Sequence, residues 1–452
     1  MKKDFIKTKR ILSGIMAFTL LAMTVKPVTA GAEESEEFVF SLSAEEKETS
    51  ELALLRDDDI NTIVDFEEGT TLKVEANEPI KAIYILFDAE AVPGEWDLTY
   101  NGKTRIHGQE GFLHEYVEFR EEVTECELGF NKLTGICGIY AFPNGEIPEN
   151  VQQWKKLPKD ADILIFVPHE GDEIIDFGAV EAIYAGQKDL NVQVVYMCEY
   201  VTTEEKIKEH EKLDSLWKLG VKYYPETGHF RNKVLTKEDQ AIMFYGYGEV
   251  LECATELIRK YRPLVVICPG HDDQNGNATH ILLSDAVSEA VNYTQDNAYF
   301  SASAEEYGTW NVPKTYMHKK AGGKLVLDIG NGVKELLKET YESRMTDSWC
   351  GTYIKNAKFD LADAAYFGIY RTTVGTDTGN DIMENLVTYG EQARIAEEKE
   401  AERLRLEELE RQMVYYDSRL TRAAEKGGYV YGKYLSQDFW DLFDKITANE
   451  WD

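Results

Sequence analysis

The sequence predicts an α/β protein in which a Rossmann-like, three-layer parallel sheet is preceded by an all-β sandwich and followed by a charged helix. Three observations favour this class. Residues 156–375 alternate short apolar runs with helical stretches, the pattern of a sheet covered by helices. Residues 35–155 hold extended runs separated by turn signals and no helical stretch of useful length. Residues 396–412 are almost entirely Glu, Arg, Ala and Leu, a composition typical of a long helix.

The β-rich part, residues 35–155, is predicted to be a β-sandwich. The runs Leu72–Ala76 and Ile83–Phe87 suit strands because they are extended in type and turn residues punctuate this part of the chain. The string LRDDDINT at residues 55–62, followed by an extended run that closes near Trp154, resembles discoidin-like domains. That resemblance implies a sandwich of about this size, of a type that often binds sugars.

Residues 156–375 are predicted to form the α/β domain. The strand candidates are Ile163–Pro168, Val192–Met197, Lys222–Tyr224, Leu264–Cys268 and Leu325–Ile329. The helix candidates are Glu205–Leu219, Lys237–Tyr261 and Ile281–Tyr293. Short apolar runs that alternate with helices favour buried parallel strands, whose carboxyl ends meet at one edge of the sheet. Ligands of open α/β sheets bind at that edge.

Residues 1–30 are predicted to be a secretory signal peptide. A Lys- and Arg-rich start is followed by the apolar stretch Ile11–Val25 and by small residues at Val28–Ala30. The alternative is an uncleaved N-terminal anchor, for which the apolar stretch is short. We expect a secreted or cell-surface protein with no transmembrane span after cleavage, because no later stretch is long and apolar enough to cross a bilayer.

The formal net charge of −33 limits the partners of the protein. This excess of acidic groups argues against nucleic acids and against anionic membrane surfaces, since both repel it. Residues 376–425 are predicted to form a charged, solvated helix, because Leu404, Leu406 and Leu409 do not keep the heptad spacing of a coiled coil. Residues 426–452 form an aromatic-rich tail, and the sequence leaves the oligomeric state open.

The stretch DILIFVPHEGDE at residues 162–173 carries the strongest chemical signal of the chain. A buried strand ends there, and His169 and Asp172 follow on a tight loop where they can share one metal ion. His280 is the third candidate, because it follows the predicted strand Leu264–Cys268 and a polar loop and opens a helix. Two His and one Asp form a normal ligand set for catalytic zinc, although the set also suits iron or manganese.

These motifs resemble those of the PIG-L/LmbE-type zinc N-deacetylases, which remove acetyl groups from N-acetylglucosamine-containing substrates. The family's strand ending in His-Pro-Asp-Asp-Glu lines up with residues 167–173, and its later Gly-His-x-x-His with residues 276–280. Residues 219–221, 341–344 and 367–371 fit further segments of the family. The resemblance spans residues 156–375 and implies zinc as cofactor and a glycan or amino sugar as substrate.

When the family's residues are matched to this sequence by position, the resemblance implies zinc ligands at His169, Asp172 and His280. The family's catalytic base falls on Gly171, and the His that helps to stabilise its oxyanion falls on Asn277. A side-chain amide can still donate a hydrogen bond to an oxyanion, so Asn277 remains a candidate catalytic residue. No side chain remains at position 171 to accept a proton from the attacking water.

Glu170 is the candidate substitute for the missing base, with Asp272 and Asp273 as alternatives, and Glu173 is interpreted as a group that steadies the site. General-base assistance is worth roughly 10²–10⁴-fold in rate. Loss of both acid/base positions leaves a second function open, a catalytically silent glycan-binding protein that still holds zinc. The histidines interpreted as structural or surface groups are His107, His114, His210, His229 and His318.

Overall fold

The computed structural model describes residues 38–199, 203–233, 235–271, 278–346, 364–378 and 380–425. The chain forms two compact units, the first ending at Glu384 and the second beginning at Asn385. Several predictions lie outside the described residues, namely the signal peptide at 1–30, the tail at 426–452, and Asp272, Asp273 and Asn277.

Nine strands form the β-rich part of the first unit. They are β1 (Phe40–Ser43), β2 (Val64–Phe66), β3 (Thr71–Ala76), β4 (Ile80–Phe87), β5 (Trp96–Tyr100), β6 (Lys103–His107), β7 (His114–Glu118), β8 (Glu125–Phe130) and β9 (Thr134–Pro143). They make two antiparallel sheets, in the orders β1-β3-β8-β5-β6 and β2-β9-β4-β7. Strand β3 shows the underlying pattern, because Leu72 and Val74 point into the core while their neighbours are more exposed. Helix α1 (Thr49–Leu52) lies between β1 and β2 in the chain.

Seven strands form the sheet of the α/β part. They are β10 (Ile163–Val167), β11 (Val192–Glu199), β12 (Glu226–Arg231), β13 (Val265–Cys268), β14 (Lys314–Lys319), β15 (Leu325–Asp328) and β16 (Ala364–Thr372). Their order is β12-β11-β10-β13-β14-β16-β15. The pairs from β12 to β14 are parallel, and β16 is antiparallel to both of its neighbours. Strand β10 is buried along its whole length, as expected for a central parallel strand.

Helices fill the connections of this sheet. Helix α2 follows β10 and has three consecutive parts. The first part (Glu173–Phe177) and the last part (Glu181–Gln187) have π-helical hydrogen bonding, and the middle part (Gly178–Val180) is α-helical. The others are α3 (Thr203–Lys218), α4 (Glu238–Tyr245), α5 (Tyr247–Tyr261), α6 (Ala278–Tyr293), α7 (Ser301–Tyr307) and α8 (Asn331–Thr346).

In the described part of the chain, apolar clusters hold the helices in place, and two of them involve the α/β part. The larger one packs α5 and α6 against the sheet and includes Leu164 of β10, Leu257 of α5 and Leu282 of α6. The other joins α2 to α8 through Ala182 and Leu337. Burying such side chains supplies most of the stabilisation of a domain of this size, at about 25 cal/mol per Å² of apolar surface.

The prediction of an α/β fold is confirmed, since the first unit has mixed α/β content with several sheets. Two local predictions differ from the structure. The strand expected at Lys222–Tyr224 is found instead at Glu226–Arg231, where it pairs with β11, and Tyr223 forms only an isolated bridge. The single helix expected at Lys237–Tyr261 is divided into α4 and α5 at Gly246, whose φ of +75° a helix cannot accommodate.

A buried hydrogen bond between two histidines joins the β-rich part to the α/β part. Nε2 of His114 on β7 lies 2.7 Å from Nδ1 of His210 on α3. Oε1 of Gln152 lies 2.7 Å from Nδ1 of His114 and accepts the indole N–H of Trp154 at 2.6 Å. The hydroxyl oxygen of Tyr84 lies 3.1 Å from the same Nδ1. Both histidines are therefore interior residues of the first unit.

Arg259 on α5 is fully buried and organises the chain that follows α6. Its guanidinium donates hydrogen bonds, at distances between 2.7 and 3.3 Å, to the hydroxyl of Ser303 and to the carbonyl oxygens of Tyr293, Thr294, Asp296, Tyr299 and Phe300. One side chain thereby satisfies the backbone carbonyls of a whole loop, which keeps that loop in a single conformation.

We expect Arg259→Met to lower the free energy of unfolding by about 3 kcal/mol or more, because each buried acceptor left without its donor costs about 1–3 kcal/mol. Equilibrium urea unfolding measures this loss. The exposed Arg120 supplies the control, and Arg120→Met is expected to stay within about 0.5 kcal/mol of the parent. A loss below about 1 kcal/mol in Arg259→Met would show that the loop does not depend on this guanidinium.

The second unit contains helix α9 (Tyr389–Glu425), 37 residues long. At 1.5 Å per residue its length is roughly 55 Å. Ion pairs one turn apart lie on its surface, such as Arg394 with Glu391 at 2.5 Å and Arg403 with Glu400 at 2.6 Å. Such exposed pairs support a helix by a few tenths of a kcal/mol each. Across the described residues, no helix combines the length and the apolar character that a bilayer crossing requires.

Candidate metal centre

The predicted metal ligands lie at the point in the sheet where the order of the parallel strands changes direction. Across the sheet, the five parallel strands occur as the third, second, first, fourth and fifth in chain order, so β10 and β13 are neighbours. Ligands of open α/β sheets bind in the crevice outside the carboxyl ends of the strands at such a point. His169 follows β10, and His280 lies in the first turn of α6, which the chain reaches from β13. The fold thus brings two distant segments to one edge.

The donor atoms of His169, Asp172 and His280 converge, each lying within 4.8 Å of the others. Nδ1 of His169 is 3.2 Å and Nε2 of His280 is 3.0 Å from the same atom, Oδ2 of Asp172. Ligand atoms bound tetrahedrally to zinc at ~2.0–2.1 Å are separated by roughly 3.3 Å, so this arrangement fits such an ion. In the part of the chain that the structure describes, no other group of three His, Cys, Asp or Glu side chains has this arrangement.

The three side chains are buried, with exposed fractions of 7% for His169, 3% for Asp172 and 2% for His280. Burial raises the pKa of Asp172, but the charge of His280 and the hydrogen bond to His169 outweigh it and hold the pKa below its ordinary value. The carboxylate is therefore ionised at neutral pH, the state that a metal ion requires of its ligand. The backbone N–H of His169 also donates to Oδ2 of Asp172 at 3.1 Å, which orients the carboxylate.

The backbone at Gly171 adopts a conformation that favours glycine. Its φ is +95°, a conformation that glycine adopts easily and that L side chains rarely adopt. The N–H of Gly171 donates to Oε2 of Glu173 at 2.6 Å, and Glu173 is fully buried. Glu173 thus accepts a hydrogen bond from the turn that contains His169 and Asp172, and its role as a steadying group stays a prediction.

Of the two predicted catalytic residues, only Glu170 lies within the described residues. It follows His169 directly and is 4% exposed, so its side chain is buried in the same loop as two of the predicted ligands. Asn277 lies in the segment before α6 that the structure does not describe. The catalytic role of both residues stays a prediction, as does the binding of a metal by the three donors.

Sequence reasoning missed a buried pair formed by Asp176 and His318. Nδ1 of His318, near the end of β14, lies 3.6 Å from Oδ1 of Asp176 on α2, and the exposed fractions are 9% and 8%. The imidazole also contacts the ring of Phe177 edge-on, with centroids 5.9 Å apart. The pair ties the start of α2, the helix that begins immediately after Asp172, to the sheet. Strand β14 contains two Lys and one His, so no apolar run marks it in the sequence.

No protein-family model matches the chain, and no curated protein is significantly similar to it in sequence. Solved structures are similar to parts of it. N,N'-diacetylchitobiose deacetylase from Pyrococcus horikoshii is 18% identical, with a TM-score of 0.37, over 46% of this chain and 84% of its own. The 4-carboxy-2-hydroxymuconate hydratase from Pseudomonas putida is 13% identical, with a TM-score of 0.34, over 48% of this chain and 99% of its own.

A pectin-binding carbohydrate-binding module is also similar to part of the chain. It is 15% identical, with a TM-score of 0.20, over 25% of this chain and 95% of its own. The similar solved structures therefore include a deacetylase, a hydratase and a carbohydrate-binding module, each at low identity and over less than half of this chain.

Proposed function

We propose that the protein is a zinc-dependent hydrolase that removes acetyl groups from N-acetylated amino sugars or glycans. One observation carries the proposal: His169, Asp172 and His280 present donor atoms within 4.8 Å of one another. They occupy the strand-end and helix-start positions of the segments that resemble the PIG-L/LmbE motifs. Together they would hold one ion and leave a coordination position open, as catalytic zinc sites do.

The proposal extends to location and substrate binding. The signal-like residues 1–30 support export, which places the mature protein outside the cell or at its surface. In this proposal the metal centre belongs to a Rossmann-like domain, and the preceding β-sandwich holds the glycan near it. The oligomeric state is not part of the proposal.

The chain's own residues would carry the proton transfers. His169, Asp172 and His280 would hold a zinc ion, which would act as a Lewis acid on the amide carbonyl and would lower the pKa of a water molecule to about 7. Glu170 accepts a proton from the attacking water and delivers it to the amide nitrogen as the carbon–nitrogen bond breaks. Asn277 donates its side-chain N–H to the carbonyl oxygen while negative charge develops there. The products are acetate and the free amino sugar.

Glu170 is the base in this proposal because of its position. It is the side chain next to His169, it is 4% exposed, and its other neighbour is a glycine. We expect Glu170→Gln to lower the rate of acetyl release by at least roughly 10²-fold with zinc content unchanged, because an amide cannot accept the proton. Acetate and free amine released from N-acetylchitohexaose by the zinc-loaded full chain measure the effect.

Two further variants make this test specific. Glu90→Gln changes an exposed glutamate of the β-rich part and is expected to keep the parental rate. Asp272→Asn removes one of the two alternative bases and is expected to do the same. A rate that falls in Asp272→Asn and not in Glu170→Gln would transfer the role to Asp272. No release by the parent from any N-acetylated glycan, together with saturable glycan binding, would contradict the hydrolase and support the silent glycan-binding protein.

A further inference from the structure

We propose that the groove beyond the C-terminal end of α6 is a second glycan-binding site, separate from the metal centre. The groove is shallow and open to solvent, with a volume of about 700 Å³. The residues that line it include Asn292, Tyr293, Gln295, Asp296, Asn297 and Tyr299. His280 and Tyr293 stand at opposite ends of α6, roughly 20 Å apart at 1.5 Å per residue, so one helix separates the two sites.

A stacked pair of tyrosines forms the apolar surface of this groove. The rings of Tyr293 and Tyr299 are nearly parallel, with an interplanar angle of 9° and centroids 4.2 Å apart. Tyr299 is nevertheless 46% exposed, and it lines the groove. A flat aromatic face with a hydroxyl at its edge can stack on the C–H face of a pyranose ring and hydrogen-bond its hydroxyl groups.

The platform is fixed before any ligand arrives. Arg259 donates to the carbonyl oxygens of both tyrosines, at 3.1 Å for Tyr293 and 2.9 Å for Tyr299. The hydroxyl of Tyr293 is additionally hydrogen-bonded to the carboxylate of Glu289. A binding surface held in this way loses little conformational entropy when the ligand binds, which favours affinity at a shallow site.

The polar lining indicates the chemical class of the ligand. Asn292, Gln295 and Asn297 carry amides, each of which offers both donors and an acceptor, and Asp296 adds a carboxylate. Sugar hydroxyl groups also donate and accept, so they match this lining. Lys and Arg are absent from the lining residues that the structure describes, which disfavours acidic glycans and phosphates. A neutral oligosaccharide is the ligand that fits.

This site is independent of the proposed hydrolysis, since it uses none of the metal ligands. It would hold a polymeric glycan at a distance from the metal centre, whether or not that centre releases acetyl groups. A negative result for this glycan-binding site would therefore leave the proposed hydrolase untouched, and a negative result for the hydrolase would leave this site untouched.

The test is hydroxyl-radical footprinting of the full chain, read by mass spectrometry, with cellohexaose and N-acetylchitohexaose as probes. We expect oxidation of Tyr299 to fall at least roughly twofold when half of the sites or more are filled by either probe. Tyr370 on β16 is the internal control, because it is also 46% exposed and should be oxidised equally with and without the probe. Sorbitol at the same mass concentration corrects for radical scavenging.

A variant completes the test. Tyr299→Ala is expected to weaken retardation of the protein in gels containing soluble cellulose or chitin derivatives by roughly two- to tenfold, the change that corresponds to about 0.5–1.5 kcal/mol of aromatic stacking. Tyr370→Ala should leave retardation unchanged. Unaltered oxidation of Tyr299 with both probes, an equal fall at Tyr370, or parental retardation of Tyr299→Ala would each overturn the proposal.

Discussion

Asp172→Asn is expected to abolish both metal binding and acetyl release. Both imidazoles approach one oxygen of this carboxylate, at 3.0 and 3.2 Å, and the substitution replaces its charge by a neutral amide of nearly the same shape. Bound zinc should fall from about one ion per chain to background, since a catalytic site of this type has only three protein ligands. Acetyl release should fall by at least roughly 10³-fold, because a Lewis acid contributes several kcal/mol to the transition state.

Zinc content after dialysis, measured by mass spectrometry, and amine release from N-acetylchitohexaose provide the two readouts. Asp239→Asn is the matched control, since Asp239 is an exposed aspartate in the first turn of α4. It should retain the zinc and the parental rate. Retention of stoichiometric zinc by Asp172→Asn, even with activity lost, would remove Asp172 from the ligand set.

Acidification is expected to destabilise the protein through His114 and His210. Burial lowers the pKa of His114 to about 3, and burial together with the neighbouring His114 lowers the pKa of His210 well below its ordinary value. In the unfolded chain both rings titrate near pH ~6.5, so below that pH the unfolded state binds protons that the folded state does not bind. The contribution of the two neutral rings is complete above pH ~6.5 and is lost progressively as the pH falls.

Between pH 7 and pH 5 we expect the free energy of unfolding to fall by roughly 2 kcal/mol through His114, with a further loss in the same direction from His210. Urea unfolding at a series of pH values measures this. The double variant His114→Gln, His210→Gln should show a much flatter dependence on pH. His271→Gln, which alters an imidazole with a 47% exposed side chain, should keep the parental dependence. The predicted metal ligands are the same in all three proteins, so a parental slope in the double variant would contradict the assignment to this pair.

The residues of the candidate site could be read from the sequence because local patterns mark them. The apolar run at Ile163–Val167 ends at a cluster of polar side chains, and this transition predicts both a buried strand and the position of His169 and Asp172. Predicting His280 as part of the site required one more observation, namely that a second apolar run precedes it in the sequence. Strands β10 and β13 proved to be neighbours, and the donor atoms of His280 lie close to those of His169 and Asp172.

Features that depend on distant partners could not be predicted in this way. Strand β14 begins with Lys314, which is fully buried because Asp377 pairs with it at 2.5 Å. A lysine in a sequence predicts exposure, since its carboxylate partner lies far along the chain. The hydrogen bond between His114 and His210 could not be predicted for the same reason, since the two residues are 96 positions apart in the sequence.

The backbone conformation of single glycines could also not be predicted from the sequence. A glycine within a helical pattern can lie inside the helix or end it, and Gly246 ends it through its positive φ. Gly171 could be recognised as the loss of a base, but only its φ of +95° shows that the turn itself favours glycine there.

The convergence of three side chains on one divalent ion is tested most directly by anomalous diffraction at the zinc absorption edge, on crystals of the full chain grown with zinc. We expect one strong peak per chain, bonded to His169, Asp172 and His280 at ~2.0–2.2 Å. A peak at another position, or an imidazole of His280 turned away from the other two donors, would contradict this metal centre and the function proposed from it.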